Sequence, residues 1–141
     1  MAITDIISQA ASVCSAVTGI SNTFTDMPEN LGTVFPCIVI YDKSCDQAYP
    51  RTPMQKQYEH QIYVNLYYAQ GTNLPAADAA LKQLIEPIYD AFNQNVTLNG
   101  TCTDSAIIHH DYGYVSYGGT NYVGIQFTLQ VIESIPYTYH S

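Results

Sequence analysis

Residues 109 to 122, HHDYGYVSYGGTNY, set two histidines and an aspartate among four tyrosines. Imidazole nitrogens and carboxylate oxygens ligate zinc and exchange protons in acid–base catalysis, so chemistry is tested here first. Spacing decides the test. In a strand, successive side chains point to opposite faces, so His109 and Asp111 share one face and His110 takes the other. Two ligands fall short of the three or four that a zinc site needs. His60 is the one obvious helper, and nothing in the spacing fixes its distance. The stretch therefore predicts a polar strand face that holds no metal and no cofactor.

Other reactive patterns give less. There is no G-x-S-x-G, and no cysteine–histidine arrangement tied to a known nucleophile motif. SYGGTN, 116 to 121, has the glycine pair of a phosphate loop, but it lacks a lysine and joins two strands instead of opening a helix. Cys14, Cys37, Cys45 and Cys102 share no C-x-x-C spacing; Cys14 and Cys37 fall in apolar periodic stretches and are expected to be small buried hydrophobes. The sequence predicts a protein that is not an enzyme. MAITDIISQAASVC shows neither a basic start nor a long apolar run, so neither a signal peptide nor a membrane span is expected, and the thiols are expected in a reducing cytosol.

Composition narrows the partners. Of 141 residues, 47% are apolar, enough for one core, while 11% are charged, which is low for a soluble monomer. The surface must then carry something else, and there are 13 tyrosines, whose apolar ring and polar tip suit surfaces that become buried on assembly. The net charge is −8, with four lysines and arginines in all, too few to neutralise the phosphates of a tightly held duplex. Three of the four, Lys43, Arg51 and Lys56, stand close in sequence to Asp42, Asp46 and Glu59, so this segment is neutral and the rest of the chain acidic.

The elements that must position these residues follow from periodicity. Ile6, Ile7, Ala10, Cys14 and Val17 form a helical stripe over 4 to 18, with Thr4 as a cap and Gly19 as the stop. VFPCIVIY, 34 to 41, is a buried strand that Pro36 delays or pushes toward an edge. Residues 42 to 56, with two prolines and most of the cations, are expected to be a long exposed loop. From 58 to 69 the pattern alternates: His60, Ile62, Val64 and Leu66 face one way, Tyr63, Asn65 and Tyr67 the other. Leu74, Ala77, Leu81, Leu84, Ile85, Ile88 and Phe92 mark a second helix that Pro87 should kink. A hairpin closes the chain, with arms 105 to 117 and 122 to 133, the second carrying Val123, Ile125, Phe127, Leu129 and Val131 in strict alternation. The predicted fold is α+β: one mixed or antiparallel sheet flanked by two helices, in the order α-β-β-α-β-β, as a single domain over 1 to 134 with a tail at 135 to 141. The candidate site residues belong to an interface: Lys43, Asp46, Arg51 and Lys56 in the cationic segment, and Tyr137 and Tyr139 in the tail, where nothing local offers them a packing surface.

That order of elements, from the first helix through FTDMPENLGTVFPCIVIY, YEHQIYVNLYYAQ and PAADAALKQLIEPIYDAF to a hairpin ending YVGIQFTLQVIES, resembles the tail terminator proteins of long-tailed bacteriophages, also called tail completion or head–tail joining proteins. The resemblance spans roughly residues 3 to 134 and lies in element order and hydrophobic texture. It implies an α+β protomer without catalytic residues that assembles into a homo-oligomeric ring, a hexamer in that family. Such a ring caps the tail tube, stops its growth, and docks to a head-completion or connector protein. It implies a place in the virion neck after assembly in the host cytoplasm, with DNA passing through untethered and no membrane partner. Two alternatives stay open: another virion component such as a head-completion or tail tube subunit, or a small cytosolic domain that binds a ligand or metal.

Overall fold

The computed structural model describes residues 3–26, 36–48, 55–68, 74–117 and 120–136. Helix α1 (Ile3–Ser15) buries Ile6, Ala10, Ala11 and Cys14. It ends three residues before the periodicity does: Val17 N–H donates to Cys14 O at 3.1 Å and Ile20 N–H to Val17 O at 3.3 Å, tighter turns than the α-helix makes. Gly19 sits at φ +104° with the Cδ2 of Leu84 3.1 Å from where a β-carbon would stand, so glycine both turns the chain and admits the second helix.

Among the described residues five strands follow: β1 (Asn22–Phe24), β2 (Cys37–Ala48), β3 (Gln55–Tyr67), β4 (Asp104–Tyr117) and β5 (Thr120–Pro136), with helix α2 (Leu74–Asn93) between β3 and β4. They form one mixed sheet in the order β1-β2-β3-β5-β4, in which only the β1–β2 pair is parallel. The α+β class stands. The order is α-β-β-β-α-β-β, one strand more than the sequence suggests. That strand is NTF, three residues long, too short to show alternation; Ser21 N–H, donating to Pro36 O at 2.9 Å, brings it to β2.

The second departure is larger. The segment expected to be a long loop over 42 to 56 is mostly strand, because β2 runs on to Ala48 and β3 begins at Gln55. Its charges, prolines and small polar residues look like a loop by composition, but ladder hydrogen bonds come from the backbone and a solvated hairpin needs no apolar face. A register shift between Asp42 and Ser44 carries the pairing past Lys43. Arg51 lies outside the described residues. Pro36 precedes the strand it was expected to delay. β5 continues through Pro136, two residues into the expected tail; Tyr137 and Tyr139 also lie outside the described residues.

Both helices pack on one face of the sheet, α1 against β1 and β2, α2 against β4 and β5, and they touch each other. Between helices and sheet lies the main core: Ile38 and Ile40 of β2, Ile62, Val64 and Leu66 of β3, and all five alternating residues of β5, closed by Leu81, Leu84, Ile88 and Phe92 of α2. At about 25 cal/mol per Å² of apolar surface removed from water, this layer dominates the stability. Pro87 lies inside α2, which continues through it to Asn93. Leu98 and Asn99 follow at φ 47° and 58°, with Gly100 at 81°. A leucine in left-handed conformation costs about 1–2 kcal/mol, and the full burial of Leu98 in the core offsets it. Among the described residues, no helix is long and apolar enough to cross a membrane.

Candidate functional site

Cross-strand partners point to the same face, so the register assigns each side chain its side. Ile125, Phe127 and Leu129 face the helices, and so do their partners on β4, Tyr112, His110 and Ile107. Asp111, paired with Gln126, and His109, paired with Thr128, face the other way. The predicted split of the histidines holds. His109 Nε2 lies 3.1 Å from Asp111 Oδ1, with side chains 60% and 71% exposed. His110 Nδ1 is 2.7 Å from the hydroxyl of Tyr89, and its ring packs beside Phe127. Nor does His60 join them. It lies on the helix side, 9% exposed, stacked beside Tyr58, with both ring nitrogens lacking a hydrogen-bond partner among the described residues. No group of three or more metal-ligating side chains occurs among the described residues.

The face turned away from the helices carries a different feature. Cys37, Val39 and Tyr67 are buried there, with Phe24, Tyr41, Tyr117 and Tyr122 packed around them. Tyr67 meets the rings of Tyr117 and Tyr122 edge-on, with centroids 5.7 and 5.6 Å away, and Tyr41 meets Tyr63 at 5.4 Å. These are the favoured edge-to-face geometries of aromatic quadrupoles. Between them sits Asn65, 2% exposed, whose amide nitrogen donates to the hydroxyls of Tyr41 and Tyr67, each at 3.2 Å. Burial pushes the Tyr67 hydroxyl up to about 12, and its neighbouring hydroxyls add to the shift. Gly124 makes room for this stack. A β-carbon there would stand 2.2 Å from the carbonyl oxygen of Leu66.

Toward the β4 edge this face dips into a shallow concavity of about 440 Å³ lined by Tyr41, Asn65, Gln126, Asp111 and Tyr114, among others. A larger hollow, about 890 Å³, lies between the C-terminal ends of α1 and α2; among the described residues it is lined by one carboxylate, Asp90, and by no histidine or cysteine. Neither hollow gathers an acid, a base and a nucleophile.

Of the predicted interface residues, Lys43 is placed most fully. Its ammonium lies 5.2 Å above the Tyr63 ring and donates to Gln61 Oε1 at 3.2 Å, so it stands exposed on the tyrosine-bearing face. Asp46 pairs in register with Glu59, and Lys56 with Ile135. The sequence missed Asn65 and the edge character of β4. Alternation put Tyr63, Asn65 and Tyr67 on one face, but nothing local in β3 says which strands lie beside them. β4 has no strand on its outer side among the described residues. Three of the four exposed large hydrophobic side chains described, Ile108, Tyr112 and Tyr114, lie on it. Ile108 falls at the register shift between Ile107 and His109. The Tyr112 hydroxyl donates to Asp78 Oδ1 on α2; that bond, helped by Lys82 at 2.9 Å, holds the Asp78 carboxyl below its usual range. No family model matches the chain, and no curated protein matches it.

Proposed function

We propose that this chain is a structural subunit of a bacteriophage virion: a tail terminator that assembles into a ring, caps the tail tube and joins it to the head, making and breaking no covalent bond. The observation that carries the reading is the sheet itself. One face is sealed by helices. The other carries packed tyrosines and a buried asparagine, and ends at a fourteen-residue edge strand holding most of the exposed apolar side chains described. Aromatic surface with scarce charge is the composition of surfaces that bury one another, and a long edge with exposed apolar groups invites pairing.

The acidic balance fits the same role. A net charge of −8 leaves phosphates little to hold, which suits a channel through which DNA must slide. The His109–Asp111 pair is then a solvated contact on the face turned away from the helices. The test is native mass spectrometry and negative-stain microscopy of the purified chain, alone and with preformed tail tubes. Closed rings that sit on tube ends support the reading. Long self-assembled tubes would make it a tube subunit, and a monomer at high concentration that ignores tubes would end it.

A further inference from the structure

Resting on that reading, we infer that neighbouring copies join edge to edge, the outer edge of β4 in one copy pairing with the outer edge of β2 beyond Val39 in the next, with Asp111 and Lys43 meeting across the seam. Four observations lead there. First, β1 covers only Cys37, Ile38 and Val39 of β2, so the stretch from Ile40 to Ala48 has no strand on its outer side among the described residues. Among the described residues the sheet thus has two unlike edges without a strand beside them, the arrangement that generates head-to-tail contact and, where the rotation closes, a ring.

Secondly, the directions agree. Each pair from β2 through β3 and β5 to β4 is antiparallel, so β4 runs opposite to β2. A copy continuing the sheet therefore presents an antiparallel partner. Thirdly, charge is matched across the edges. Lys43 is the described cation on the β2 edge and stands on the tyrosine-bearing face. Asp111 stands on that same face at the β4 edge with its side chain 71% exposed. Within one copy they are three strand spacings apart, roughly 14 Å, too far to pair. Fourthly, the register that sets Lys43 against Asp111 also sets Tyr41 against Gly113 and Ile40 against Tyr114, and each pair shares a face. A β-carbon on Gly113 would meet no atom within 4 Å, so nothing described crowds the β4 backbone where the next strand would approach.

Asp42 is next to Lys43 on β2, Asp46 and Glu59 pair in register farther along the two strands, and His109 stands beside Asp111, so the seam is a local attraction on an acidic body. Edge strands are commonly guarded by lysine or proline; β4 has neither.

The experiment is a charge swap in the full chain, read by sedimentation velocity and native mass spectrometry. Lys43→Asp and Asp111→Lys should each raise the ring's dissociation constant about tenfold or more, and the double variant should recover most of that loss. Tyr114→Lys, a side chain 68% exposed, should also weaken the ring while leaving the circular dichroism spectrum unchanged. Wild-type rings with both single variants unaffected, or with no recovery in the double variant, would overturn the edge pairing and leave the ring reading intact. A wild-type chain that stays monomeric would overturn both.

Discussion

At the scale of the residue, two adjacent histidines have opposite fates. His109 is exposed and shares a surface pair with Asp111, a kind of contact worth between zero and about 1 kcal/mol. His110 is wedged between Tyr89 and Phe127 with its ring nitrogen on the tyrosine hydroxyl. His109→Ala should therefore leave unfolding free energy within about 0.5 kcal/mol of wild type. His110→Ala should cost about 1–2 kcal/mol through lost packing and a stranded Tyr89 hydroxyl. Urea titration of both variants measures the difference; equal losses would mean that the strand does not separate the two rings. The sequence carried this split because strand alternation is a local rule. It could not carry the Tyr89 contact, which joins α2 to β4. The same limit applied to Asn65: alternation sets Tyr67 beside it on β3, but Tyr41 reaches it only through the pairing with β2.

At the scale of the element, Gly124 marks a tight approach of β5 to β3. Any side chain there meets the Leu66 carbonyl, and a carbonyl held in the ladder cannot move aside alone. Gly124→Ala should destabilise the fold by about 1–3 kcal/mol and loosen the ring contacts of Tyr67, detectable as a lower urea midpoint and weaker near-ultraviolet dichroism. An unchanged midpoint would show that the strands can spread by the needed ångström. The two helices, the alternating part of β3 and the final hairpin were legible because their apolar periods are strong over many residues. β1 was not, since three residues carry no period. The outer half of the β2–β3 hairpin was not either, since Asp42, Lys43, Ser44 and Cys45 stay exposed while the strand pairs with β3. Composition marks solvation there, and solvation does not distinguish a wet strand from a loop.

At the scale of the whole molecule, burial sets the response to alkali. Cys14 is raised from 9.0 to about 12, and Tyr67 from 10.0 to about 12, chiefly by desolvation. The folded state holds these protons more tightly than the unfolded chain does. Their stabilisation is thus complete below about pH 9 and is lost as pH climbs through the folded values. Melting temperature should fall steeply between about pH 9 and pH 12, in step with tyrosinate absorbance; a flat profile would mean the aromatic face opens to water without unfolding. At the acid end the sign reverses for Asp78, whose lowered carboxyl favours the fold above the usual carboxylate range and ceases to do so as pH falls through its folded value. Burial has another consequence, in sulfur chemistry. Cys14 and Cys37 are enclosed, and their thiols and that of Cys102 are pushed well above neutrality, so they stay protonated and dull as nucleophiles. Cys45 alone among the four is exposed, on the half of β2 that β1 does not cover, so a thiol-reactive dye added to the unaltered chain would label the edge where copies are proposed to meet.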